Sequence, residues 1–217
     1  MANYAESGEA GNTFISAGRF DKILTRMKEG DYLFIEFGHN DQKQKGPDRG
    51  PYTSYKQSLK QMIEGTRAKG ATPVLVTPMH RRRFDETGRI INTLGDYPDA
   101  VRQLAAEEHL LLIDLNRMSR TLYEACGPEA SKKAFVHYPA GSFPGQRESL
   151  EDNTHFNSFG GDQICRCIIR GIQESASPLK QFIVTEFGSF DPAHPDVADD
   201  FRLSPTPFSA VTKPEGN

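Results

Sequence analysis

The stretch DYLFIEFGHND, residues 31–41, decides the fold. An aromatic-rich apolar run stops at Gly38 and gives way to a short polar cluster, the pattern of a buried strand that ends in a loop. Leu33, Ile35 and Phe37 alternate with Tyr32, Phe34 and Glu36, so both faces of this strand present large side chains and cover is expected on both.

Two more runs have the same character, Thr72–Thr77 (TPVLVT) and Leu110–Leu115 (LLLIDL). Helical spacing separates them. Phe20, Ile23, Leu24 and Met27 precede the first run, Leu59, Met62, Ile63 and Thr66 the second, and Val101, Leu104 and Ala105 within Pro98–His109 the third. Strand and helix in alternation predict an α/β fold, a parallel sheet with helices layered on both sides. Further on, Asn116–Cys126 reads as helix, Tyr138–Gly145 as a Gly/Pro-rich surface loop, and about Ser158–Glu174 as a last helix with Ile164, Ile168, Ile169 and Ile172 at helical spacing. From Phe190 onward Pro and Asp dominate, so residues 1–189 are expected to form the domain and 190–217 an extended carboxyl-terminal tail.

A chain of 217 residues with 36% hydrophobic and 25% charged residues is long enough for one sizeable core. A net charge of -3 offers no cationic excess for a phosphate backbone, so no nucleic-acid partner is expected. No apolar run approaches the roughly 20 residues needed to span a bilayer, and no membrane association is expected. Cys126, Cys165 and Cys167 match no common zinc spacing and read as buried or free thiols. His39, His80, His109, His137 and His194 lack metal-ligand spacing, so neither a metal nor another cofactor is expected.

In an open α/β sheet the chemistry sits in loops at the carboxyl ends of strands. Gly38-His39-Asn40-Asp41 is such a loop: Gly permits a sharp turn, and an Asn amide can face a developing oxyanion. The same four residues also suit a plain turn closed by Asn and Asp side chains. Asp152-Asn153-Thr154-His155 sits just ahead of the last helix, where an acid three residues before a His can accept its Nδ1 proton and leave Nε2 as a general base. A helix-capping acid beside a surface His fits that spacing as well. At the amino end, Asn3-Tyr4-Ala5-Glu6-Ser7-Gly8 is a small-residue turn leading into a helix, where Gly8 can present a backbone N–H. Ser7 lacks the G-x-S-x-G elbow that would expose its hydroxyl as a nucleophile.

In chain order, NYAESG, GDYLFIEFGHNDQK and DNTHF followed by a Gly-containing helix resemble blocks II, III and V of the SGNH/GDSL hydrolases, and most closely the rhamnogalacturonan acetylesterases. VTPMHRRRFDETGRIINTLGDYPDAVRQLA and FVHYPAGSFPGQ extend the likeness over most of the chain. The resemblance implies a three-layer, flavodoxin-like α/β/α fold and a Ser-His-Asp carbohydrate esterase that removes acetyl groups from a pectic poly- or oligosaccharide without a cofactor. It assigns His155 and Asp152 to the triad and Gly8 and Asn40 to the oxyanion hole. His39, Asp41 and Arg82 would contact substrate; Arg81, Arg82, Arg83 and Lys45 lie on loops and offer cations to a galacturonate-containing polymer, and the same residues suit a solvated charged loop equally well.

Block I, the G-D-S with the nucleophile, has no counterpart in these residues, so the expectation is a domain lacking its first two strands, with the serine outside this chain. A catalytically inactive carbohydrate-binding or interaction remnant is the alternative. Loss of two strands would leave 31–37 as a bare sheet edge, and such an edge invites self-association. By the same resemblance the enzyme would be secreted or periplasmic, its targeting segment upstream.

Overall fold

The three apolar runs pair as one parallel sheet in the computed structural model of the protein, which describes residues 2–203. The described residues divide into two units. The first comprises the chain up to Pro78 with Leu94–Ile113, and the second comprises Met79–Thr93 with the chain from Asp114.

The first unit contains, in order, α1 (Gly11–Ser16), α2 (Arg19–Arg26), β1 (Tyr32–Ile35), α3 (Lys56–Ala68), β2 (Thr72–Val76), α4 (Tyr97–Glu107) and β3 (Leu111–Ile113). The sheet order is β1-β2-β3, with Ile35 opposite Leu75 and Val76 opposite Ile113. The helical stripes read from the sequence point into one core: Phe20 and Ile23 of α2, Leu59, Met62 and Ile63 of α3, and Val101, Leu104 and Ala105 of α4 gather against Ile35 and Leu75. Each fully buried aliphatic side chain contributes about 1.5–3 kcal/mol by leaving water, which is why the stripes, more than propensity, fix these helices.

The strands are shorter than the apolar runs. β3 stops at Ile113 because Asp114 caps the next helix, its carboxylate accepting the Arg117 N–H at 3.3 Å. β1 is less covered than its alternation predicts: Ile35 is buried, but Phe34 on the opposite face is 38% exposed. β1 is an edge strand, and among the described residues only β2 pairs with it.

The second unit contains α5 (Leu115–Ala130), β4 (Phe135–Tyr138), β5 (Leu150–Phe156) and α6 (Ser158–Glu174). Gly127, with φ of 76°, and Pro128 break α5, so its regular part ends where the sequence predicts, at Cys126. The antiparallel β4–β5 pair is the main departure from the sequence reading, which finds no strand in either stretch. Phe135 and Phe156, directly opposite in register, stack at 4.8 Å, and Tyr123 of α5 closes on Phe135 at 5.3 Å. These rings pin a strand whose residues between Leu150 and Phe156 are all polar.

Residues 190–203 run along this unit, tied down by a buried Phe190, by Arg170 to Asp191 at 2.8 Å and by Gln163 to Asp196 at 2.9 Å. The remainder of the expected tail, 204–217, lies outside the described residues. The three cysteines are free thiols, Cys165 exposed and Cys167 buried on different sides of α6.

Candidate active site

In the first unit, β1 delivers the chain to Gly38, whose φ of 133° and close approach to Pro78, 2.9 Å from where a Cβ would stand, leave room only for glycine. Two buried tyrosines hold the loop that follows. The Tyr55 hydroxyl donates to the Phe37 carbonyl at 2.8 Å, and the Tyr97 hydroxyl to the Asp41 carbonyl at 3.2 Å. Asn40 is fixed at both ends of its amide: Oδ1 accepts from Lys43 Nζ at 2.8 Å, and Nδ2 donates to the Glu9 carbonyl at 3.1 Å. Its second N–H meets no acceptor among the described residues and is free to donate.

Asp41, expected to touch substrate, is 4% exposed, and its two oxygens accept the backbone N–H groups of Gly11 at 2.9 Å and Gly38 at 3.0 Å. Burial pushes this carboxyl above its ordinary range and those N–H bonds pull it part of the way back. His39 lies 3.8 Å from Glu36. The Asn3–Gly8 turn is anchored by Arg19 to Glu6 at 2.8 Å, and the Gly8 N–H has no acceptor among the described residues. The partners Tyr55, Tyr97, Lys43 and Glu9 carry no motif of their own and went unread in the sequence.

Glu36 stands at the end of β1. Burial, with the negative charge of Asp41 second, pushes its carboxyl from 4.5 up to about 8. The unfolded chain releases that proton near the ordinary value, so the folded state holds the extra proton between the two. Stability therefore falls as pH rises from about 4.5 to about 8 and levels off above that. Glu36→Gln, which keeps the shape and cannot ionise, is expected to lie close to the parent melting temperature near pH ~5 and to exceed it by several degrees near pH ~9, at about 2–4 °C per kcal/mol and with the gain trimmed by solvent because the side chain is 30% exposed. Equal shifts at both pH values would rule this out.

In the second unit, β5 carries the DxxH motif. Asp152 Oδ2 lies 2.7 Å from His155 Nδ1, and Oδ1 accepts the N–H groups of Thr154 at 2.6 Å and His155 at 2.9 Å. Burial acts to raise the Asp152 carboxyl, but these bonds outweigh it and hold it below the usual carboxylate range. An ionised acid on Nδ1 fixes the imidazole tautomer and orientation, and a side chain 68% exposed leaves Nε2 open to a substrate.

Between them, Asn153 Oδ1 accepts from Arg82 Nη1 at 2.6 Å and meets His137 Nε2 at 3.0 Å. Arg82, expected at the substrate, also donates to Ser131 Oγ and to the Pro128 carbonyl, so it braces the strand that bears the pair. A cavity of about 430 Å³ opens beside it, lined by Arg81, Arg82, Arg83, Phe84, Thr93 and Asn153. Sequence reading missed a second pair of the same spacing, Asp191 and His194, with Nδ1 and Oδ2 2.8 Å apart. There the carboxylate is shared with Arg170.

Residues 1–162 match the GDSL-like lipase/acylhydrolase family. Rhamnogalacturonan acetylesterase RhgT of Bacillus subtilis is 44% identical over 188 residues, 87% of this chain and 80% of the relative. Among solved structures, the B. subtilis protein YxiM superposes with a TM-score of 0.62 at 28% identity, over 84% of this chain and 46% of its own length, so this chain spans less than half of it. An acetylxylan esterase from Geobacillus stearothermophilus shares the fold, with a TM-score of 0.50 at 19% identity over 78% of this chain and 70% of that one. On the extent of the family match and the identity to RhgT, the chain belongs to the GDSL-like lipase/acylhydrolase family.

Proposed function

We propose that this chain is the greater part of a serine carbohydrate esterase that removes acetyl groups from a pectic polysaccharide of the rhamnogalacturonan type. The observation that carries the reading is the Asp152–His155 pair, an acid on Nδ1 at 2.7 Å with the other imidazole edge open. In the mechanism, His155 Nε2 takes the proton of a serine hydroxyl as that oxygen attacks the acetyl carbonyl. Asp152 keeps the imidazole in the right tautomer and stabilises the imidazolium. The Gly8 N–H and the spare Asn40 N–H, both without acceptors of their own, stabilise the oxyanion. His155 then protonates the leaving sugar oxygen, and water releases acetate by the reverse sequence.

The nucleophile is the serine of a G-D-S segment outside these 217 residues, since no G-D-S and no G-x-S-x-G occurs within them. Residues 1–189 serve as the hydrolase domain, and 190–203 run along its second unit through Asp191 and Asp196. The arginine-lined cavity beside Asn153 supports an anionic sugar as substrate: Arg82 is consumed by the fold, whereas exposed Arg83 has no acid bonded to it among the described residues. RhgT, the relative at 44% identity, bears the name rhamnogalacturonan acetylesterase, which supports the same sugar class.

The test is hydrolysis of p-nitrophenyl acetate, together with labelling by an active-site serine probe, for this chain and for a form extended upstream through a G-D-S segment. Turnover and labelling are expected only in the extended form. If this chain alone labels stoichiometrically and turns over, an internal serine such as Ser7 is the nucleophile. If neither form turns over, a binding remnant is the better description.

A further inference from the structure

We propose that Asp41 is a positioning residue of the esterase described above, clamping the loop that bears Asn40 to the segment that follows Gly8. The inference rests on that functional reading and adds a residue to it.

Asp41 is buried to 4% exposure, and both of its oxygens are engaged. One accepts the N–H of Gly11, thirty residues away at the start of α1, at 2.9 Å; the other accepts the N–H of Gly38, in its own loop, at 3.0 Å. The side chain therefore has neither a free oxygen nor the exposure to meet a sugar. What it joins are two segments with one assigned task, since Gly11 follows the Gly8 turn and Gly38 precedes Asn40. A second tie runs parallel, from Asn40 Nδ2 to the Glu9 carbonyl at 3.1 Å. A third holds the main chain of the same residue, from the Tyr97 hydroxyl to the Asp41 carbonyl at 3.2 Å.

An oxyanion hole gains its effect from donors that are already in place when charge develops, so the spacing between its two donor segments is what a clamp should protect. The clamp requires two acceptors on one short side chain. Asparagine keeps the volume but offers one acceptor, and it turns an NH2 group toward a backbone N–H, replacing attraction by a donor–donor clash.

The experiment compares Asp41→Asn and Tyr97→Phe with the parent in the form carrying the nucleophilic serine, reading kcat and KM separately. Amide exchange of Gly11 and Gly38 is followed by NMR in the same samples. Asp41→Asn is expected to speed exchange of whichever of the two amides faces the new NH2 group, and to lower kcat by about 10- to 100-fold with KM within about twofold. Tyr97→Phe, which removes one hydroxyl and is the gentler change for folding, is expected to lower kcat by about two- to fivefold, again with KM unchanged.

Unchanged kcat with disturbed amides overturns the proposal, because the clamp would then serve the fold alone. A raised KM at constant kcat also overturns it, because Asp41 would then touch substrate. Undisturbed amides overturn it directly. A parent without esterase activity instead sinks the functional reading, and the positioning role with it.

Discussion

Replacing His155 by alanine in the serine-bearing form is expected to lower kcat by about 10⁴- to 10⁶-fold with little change in KM, because a base acts in the transition state and contributes little to ground-state binding. Asp152→Asn should cost about 10⁴-fold. It leaves the packing intact but offers an amide to an imidazole nitrogen that now has to be held in the other tautomer. The molecule supplies its own control, since Asp191 and His194 repeat both the spacing and the contact, with Nδ1 and Oδ2 2.8 Å apart. Their surroundings differ. Asp191 also binds Arg170 at 2.8 Å, and its carboxyl is held down at about 2, first by His194 and then by the Ala193 N–H and Arg170. A carboxylate already matched by a guanidinium has less charge to offer a developing imidazolium, and His194 is 82% exposed, outside the residues matched by the family. His194→Ala is therefore expected to leave kcat within about twofold. Steady-state kinetics on an acetyl ester measure all three variants, and a His155→Ala enzyme that keeps more than about a tenth of the parent kcat would remove His155 from the mechanism.

The contrast between the two Asp–His pairs also marks what the sequence made legible. A contact between residues three apart needs no knowledge of the rest of the chain, so Asp152 and His155 are readable from spacing, as Asp191 and His194 were had they been sought. The helix stripes and the three strands of the sheet are readable because burial repeats at the period of the element: β2 is buried from Pro73 to Val76, and such a strand cannot hide its composition. β5 gives no such signal. Its residues Leu150–Phe156 alternate between exposed and half-buried, and what makes them a strand is β4 opposite them and the stacking of Phe156 on Phe135. Asp41 is a similar case, since its partners Gly11 and Tyr97 lie thirty and fifty-six positions away. A turn residue and a buried two-segment clamp are indistinguishable until the chain is folded. Arg82 looked like a free cation for a substrate for the same reason, because Ser131, Asn153 and the Pro128 carbonyl that occupy it come from two distant stretches.

Gly160→Ala is expected to destabilise the protein by roughly 3 kcal/mol, although it places the best helix former in a helix. Gly160 lies in the first turn of α6, where its N–H is accepted by the capping Asn157 side chain at 3.0 Å. Asn157 in turn donates to the carbonyls of Lys133 at 2.7 Å and Phe135 at 3.1 Å, which draws the start of α6 onto the chain entering β4. A Cβ on Gly160 would fall directly on the Ala134 carbonyl oxygen, 2.8 Å from its carbon and 2.9 Å from the Phe156 ring. The obstacle is main chain, which no rotamer change relieves. The helix would have to move off β4, opening the packing of Phe135 and Phe156 and disturbing β5 one residue from His155. Gly161 is the matched control, because a Cβ there meets nothing within 4 Å and its backbone is ordinary helix. Gly161→Ala should gain about 0.5–1 kcal/mol from helix propensity alone. Thermal or denaturant unfolding of the two variants separates the effects: Gly160→Ala should melt about 6–12 °C below the parent and Gly161→Ala at or slightly above it. If both variants stabilised the protein alike, the close approach of α6 to Ala134 would not exist in solution, and the strand bearing Asp152 and His155 would have to be supported from elsewhere.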